Sequence, residues 1–157
     1  MTSYLIAGPG EEPVTLAEAK AWCRIDAADE DTLLTALIAA ARLHVEALTG
    51  RALITQTWRL VLNHVPRLVE LPVVPALALV EAPGGAVLQG DCVLLVAPVD
   101  DLTLDYTAGY GDAADVPQDL KQAVLQLVAY WYENRDALTT APLGFERLVA
   151  SYKRVRL

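Results

Sequence analysis

The apolar residues of this chain change their period twice. They recur at helical spacing from Leu16 to Leu48, at every second position from Thr55 to Tyr110, and at helical spacing again from Leu120 to Leu138. A helix presents one face every 3.6 residues and a strand every 2.0, so a single apolar pattern cannot serve both. The chain is therefore expected to be α+β. The pattern predicts a mainly helical bundle of three principal helices, a small antiparallel β-insert between the second and third, and an extended C-terminal tail. The helices are placed at about 15–25, 31–49 and 117–138, the insert at about 55–110 and the tail at 139–157. With 157 residues the chain suits one well-buried core, and a single domain over 1–157 is expected.

Local signals support these boundaries. In "PVTLAEAKAWCRI", Thr15 and Glu18 have the spacing of a capping box, and Leu16, Ala19, Trp22 and Cys23 share a face. Asp29 to Asp31 suit the positive end of the second helix, and Gly50 suits a left-handed residue just past its end. Pro117 suits the first turn of the third helix. Within the insert, "TWRLVLN" sets Trp58, Leu60 and Leu62 against Arg59 and Asn63, and "LTLDYT" repeats the alternation with Leu102, Leu104 and Tyr106. Gly84-Gly85 reads as a two-residue hairpin turn, and Gly109-Tyr110-Gly111 as a tight strand-to-helix turn using positive φ.

The second helix is too apolar for one core. Leu34, Leu37, Ile38, Ala41, Val45 and Leu48 share one side, and Leu33, Ala36, Ala40, Leu43 and Ala47 form an adjacent row. Together they span roughly 220° of the helix, against the single stripe of a surface helix. Only Thr32, Thr35, Arg42 and Glu46 mark a polar side. One row is expected to face the chain's own core, and Ala36, Ala40, Leu43 and Ala47 to meet a neighbouring subunit. The third helix has a core stripe of Leu120, Val124, Leu127, Trp131 and Leu138; Leu125 and Tyr132 lie off it and form a second candidate contact.

Composition favours the same reading. Mean hydropathy is +0.33, high for a soluble monomer. Yet runs such as "LPVVPALALV" are too short to span a bilayer and are broken by proline, and "MTSYLIAGPG" lacks the flank of a secretory signal. The surplus apolar surface is expected to face other protein subunits rather than a membrane. The net charge of −8 argues against gripping nucleic acid by its phosphates. The sign is uneven: after Thr140, Arg147, Lys153, Arg154 and Arg156 outnumber Glu146, a net +3 that leaves −11 on the remainder. A basic tail on an acidic body suggests a partner of its own. In "SYKRVRL", Tyr152, Arg154 and Arg156 alternate with Lys153, Val155 and Leu157, as in a strand that adds to a sheet edge.

No catalytic constellation is visible. His44 and His64 have no metal-ligand spacing around them, and Cys23 and Cys92 read as small buried hydrophobes. "DAADED" lacks the glycine and distant Glu of a calcium loop, and the Gly109 turn lacks the Lys-Ser/Thr of a phosphate loop. Trp22, Trp58 and Trp131 all sit on apolar faces and are expected in the core. No enzyme, cofactor or metal is expected. The residues taken alone leave a small-molecule- or peptide-binding domain, using the β-insert, as the rival class.

Three stretches together resemble one family. "PVTLAEAKAWCRID", "DEDTLLTALIAAARLHVEALTGRALITQTW" and "YTAGYGDAADVPQDLKQAVLQLVAYWYENRDAL" are similar to the head–tail connector (adaptor, head-completion) proteins of long-tailed bacteriophages and gene transfer agents. "PLGFERLVASYKRVRL" is similar to the tails of that family, and the region from about Leu68 to Asp101 carries little of the resemblance. The resemblance implies a ring, commonly of twelve subunits, under the portal protein at the head–tail junction of the particle. Such a ring extends the DNA channel, touches DNA only as it passes, and docks the stopper or tail protein. It also supplies the edge for the basic strand: Tyr152, Lys153, Arg154, Val155, Arg156 and Leu157 would bind the portal, ordering on docking.

Overall fold

The computed structural model describes residues 1–83, 85–135 and 141–154. Gly84 of the expected hairpin turn, Leu138 at the expected end of the third helix, and Val155, Arg156 and Leu157 of the tail lie outside the described residues. In chain order the elements are β1 (Thr2–Ala7), α1 (Leu16–Cys23), α2 (Asp31–Thr49), β2 (Gln56–Asn63), β3 (Leu68–Glu70), β4 (Ala76–Glu81), β5 (Val87–Gln89), β6 (Cys92–Leu94), β7 (Asp101–Ala108), a 3₁₀ turn at Ala113–Asp115, α3 (Gln118–Glu133) and α4 (Phe145–Ala150). They form two compact units, one of Met1–Gly10 with Gly50–Gly111 and one of Glu11–Thr49 with the described residues from Asp112 onwards.

The expected mainly helical bundle of three helices with a small insert is not the fold. Four α-helices share the described chain with seven strands in two antiparallel sheets. The β-region is no appendage, because it buries a core of its own: Leu60, Leu71, Val93, Leu102, Leu104 and Tyr106 are fully buried together. It also recruits β1 from the N-terminus, whose "TSYLIA" has no alternation to mark it as a strand.

The larger sheet has the order β1-β2-β7-β4. β2 and β7 pair without a bulge from Gln56↔Ala108 to Asn63↔Asp101. This register sets Trp58 opposite Tyr106, Leu60 opposite Leu104 and Leu62 opposite Leu102, so the two alternating rows share one face as their period implied. On the other face Arg59 donates from Nε and Nη2 to the two carboxylate oxygens of Asp105, both at 2.7 Å. These hydrogen bonds hold the Asp105 carboxyl below its usual pKa range. The smaller sheet, β3-β6-β5, contributes Val69 and Val93 to the same core.

The Gly109-Tyr110-Gly111 turn closes the sheet unit. Gly109 and Gly111 have φ of +141° and +129°, as expected of this turn. Gly109 N–H donates to Pro75 O at 2.9 Å, and Thr55 N–H donates to Gly111 O at 3.0 Å. A Cβ on Gly109 would lie 2.6 Å from Ile54 O, closer than any side chain can sit.

In the helical unit α1 opens on the capping box: Thr15 Oγ1 accepts from Glu18 N–H at 3.1 Å and Thr15 N–H donates to Glu18 Oε2 at 2.6 Å. The bond from the Thr15 backbone, and then that from its hydroxyl, holds Glu18 below the usual carboxylate pKa. The helix stops at Cys23 because Arg24 turns left-handed, with φ +57°. α3 stops at Glu133, short of the expected boundary, where the backbone and side-chain nitrogens of Asn134 both donate to Tyr130 O at 2.9 Å. The core of this unit is built from Leu34, Ile38 and Val45 of α2, Leu120, Val124 and Leu127 of α3, and Phe145 and Val149 of α4.

Three further expectations change. Trp22 is exposed, on a helix whose single buried residue is Ala19. Leu48, assigned to the core row of α2, is also exposed. The tail is not extended throughout, because Phe145 and Val149 are one helical turn apart and bury together as α4.

Candidate assembly surface

On α2 part of the polar arc is buried while the second apolar row is left exposed. Arg42 is only 7% exposed. Its Nε donates to Glu12 Oε2 and its Nη1 to Glu46 Oε2, each at 2.8 Å. Burial by itself would lower the guanidinium pKa; the two carboxylates outweigh it, and the pKa is raised. The Arg42–Glu46 part of the polar arc is thus folded under the segment that leads into α1, while Thr32 and Thr35 stay exposed. Ala36, Ala40, Leu43 and Ala47 are all exposed, Leu43 at 56%. Leu33 and Leu48 flank them and are exposed too. A row of this kind, left in water while an arginine is buried, is the surplus width that the sequence shows. By length and composition α2 could also cross a membrane. Its buried ion-pair network and its packing on α1, α3 and α4 instead mark a core helix of this unit.

The second candidate pair is split: Leu125 is buried within the chain and Tyr132 is half-buried. His44 packs on two rings, edge-on to Trp131 at 5.6 Å and tilted to Phe145 at 6.0 Å. Trp131 is in the core, whereas Trp58 is half-buried with an indole N–H that meets no acceptor among the described residues.

At the C-terminus the described part of the tail closes α4 rather than forming a strand. Tyr152 N–H and Lys153 N–H both donate to Val149 O, at 3.0 and 3.2 Å, and Lys153 Nζ pairs with Glu146. Among the described residues no group of three or more His, Cys, Asp or Glu side chains converges as metal ligands. Beside β3 and β6, Val65, Arg67 and Leu95–Pro98 line an open pocket of about 220 Å³, below the size usual for small-molecule sites.

The model of the phage gp6-like head–tail connector proteins matches residues 13–82 and 93–152. The chain belongs to this family. The match reaches further into the middle of the connector than the sequence resemblance does, and its interruption falls on the β4–β5 connection, β5 and the turn into β6. Among solved structures the connector is similar to a chain in the neck of an empty gene transfer agent particle, computed with C6 symmetry, at 26% identity and a TM-score of 0.86. It is similar also to chains in the virion of a native gene transfer agent particle, TM-score 0.84, and in the neck of a native particle computed with C12 symmetry, TM-score 0.76. Each of these alignments covers 100% of this chain and 97% of the other. No curated protein sequence matches the connector.

Proposed function

We propose that this connector is a structural, non-enzymatic component that assembles as a ring of twelve subunits under the portal at the head–tail junction of a virion or gene transfer agent particle. The ring extends the DNA channel and docks the stopper or tail protein. The observation that carries this reading is the end-to-end similarity to neck chains of particles computed with six- and twelve-fold symmetry. The exposed row on α2 supports it. A ring needs two different patches per subunit, and Ala36, Ala40, Leu43 and Ala47 provide a close-packing surface for one of them. The net charge of −8 suits DNA that slides through without sticking.

Sizing by light scattering and negative-stain microscopy, with and without portal, tests the assembly. Rings are expected from the parent chain. Ala40→Glu and Leu43→Glu lie on the surface of the single chain and should fold normally, yet a charge buried at a contact costs several kcal/mol, so both should lose the ring. Rings from both variants would remove the α2 row as the contact.

The portal-binding role of the tail is a second part of the proposal. Because Tyr152 and Lys153 close α4, the truncation is placed after Lys153. Deleting Arg154 to Leu157 should leave folding and ring formation unchanged and abolish salt-sensitive binding to the portal. Undiminished portal binding by that truncation would exclude the tail as the anchor.

A further inference from the structure

Both edges of the four-stranded sheet are built like interior strands. An edge strand in water is normally defended by charge, proline or a bulge that turns it away. β1, "TSYLIA", has neither charge nor proline, and Tyr4, Leu5 and Ile6 are exposed in succession on both of its faces. β4, "ALALVE", is uncharged until Glu81. Each edge does contain bulges, but the bulged residues are aliphatic. The register of β1 with β2 skips Ile6, and that of β4 with β7 skips Leu77 and Val80. These three side chains are 52%, 48% and 61% exposed. A bulge that pushes an aliphatic residue into water defends nothing; it offers a knob for packing.

The directions of the two edges identify the partner. β1, β2, β7 and β4 are successively antiparallel, so β4 runs opposite to β1. When a second copy is placed beside the first in the same orientation, its β1 meets this copy's β4 antiparallel, as every pair within the sheet already runs. Two different edges that complete each other between identical chains make a heterologous contact, the kind that repeats and closes into a ring. The necks that hold the structural relatives were computed with C6 and C12 symmetry, the closed cyclic order such a contact would generate.

We propose that β4 of each copy packs edge-to-edge on β1 of the next, with Ile6 against Leu77 and Val80, and that main-chain groups of Thr2–Leu5 extend the sheet between copies. This rests on the ring reading above and adds a sheet contact to the helical one. Paired cysteines test it. On a Cys23→Ser/Cys92→Ser background, Ile6→Cys combined with either Leu77→Cys or Val80→Cys is oxidised in the assembled ring, alone or on the portal. A denaturing, non-reducing gel is expected to show a ladder of covalent multimers beyond the dimer, absent from each single-cysteine variant. Rings that yield only dimers, or no cross-link from either pair, overturn the edge contact and leave the ring reading standing. A parent chain that forms no ring overturns both. Should the cysteine variants fail to assemble, Ile6→Lys and Val80→Lys give the same decision. Each alone should lose the ring, and an equimolar mixture should yield one-to-one dimers through the one intact pair of edges. Rings from either lysine variant, or a mixture that stays monomeric, overturn the proposal.

Discussion

Gly109→Ala is expected to destabilise the sheet unit by about 3–5 kcal/mol, the sum of backbone strain and overpacking. At φ +141° an L-residue is strained, and the new Cβ would meet backbone rather than a side chain that could swing away: Ile54 O at 2.6 Å and Thr55 N at 2.7 Å. Relief would require Ile54–Thr55 to move, and Thr55 N–H is already committed to Gly111 O. For a chain of this size the loss corresponds to a fall in Tm of roughly 10 °C or more. Gly10→Ala is the control, because a Cβ there meets nothing within 4 Å, and it should shift stability by less than about 0.5 kcal/mol. Thermal and urea unfolding followed by circular dichroism measure both. A Gly109→Ala protein within about 1 kcal/mol of the parent would mean that the turn opens more easily than its hydrogen bonds indicate.

Arg42→Ala should cost about 3 kcal/mol, near the lower end of the range for breaking a buried charge network. The substitution leaves the carboxylates of Glu12 and Glu46 facing each other without their shared cation, and Glu46 has a side chain only 13% exposed. Replacing all three, as Arg42→Met with Glu12→Gln and Glu46→Leu, removes the uncompensated charges and should recover most of the loss, because desolvating the network costs nearly as much as its attraction returns. Urea unfolding of the three proteins decides the matter. A fully neutral Arg42→Ala would show that the network does not hold α2 to the segment before α1. Because the exposed row on α2 is presented by this packing, Arg42→Ala should also weaken ring formation, while Ala40→Glu abolishes it without loss of stability.

Much of the local structure is legible in single windows of sequence. The capping box at Thr15, the start and end of α2, the alternation of Trp58's row and of Tyr106's row, and the positive φ of Gly109 and Gly111 all follow from residues a few positions apart. The surplus apolar width of α2 is legible in the same way, and so is the family, because its motifs lie in order along most of the chain. The weight of the β-region is not. Alternation identified the long strands β2 and β7, but the three-residue strands β3, β5 and β6 are too short to show a period, and β1 has none.

What the sequence by itself determined is periodicity, punctuation and charge, because each acts between residues close in the chain. What only the tertiary structure decided is which surfaces were left over. A helical wheel puts Leu48 in the core row of α2 with Leu34 and Ile38; the positions of α1, α3 and α4 bury Leu34 and Ile38 and leave Leu48 outside with Ala40 and Leu43. Arg42 reads as a solvent-facing residue until Glu12, thirty positions earlier, is brought beside it and makes its burial tolerable. "TSYLIA" carries no period that marks it as a strand; its partner β2 is fifty-odd residues away, and among the described residues no further strand pairs with its other edge. Burial depends on contacts between segments distant in sequence, and no local pattern specifies which of several apolar faces those contacts will cover.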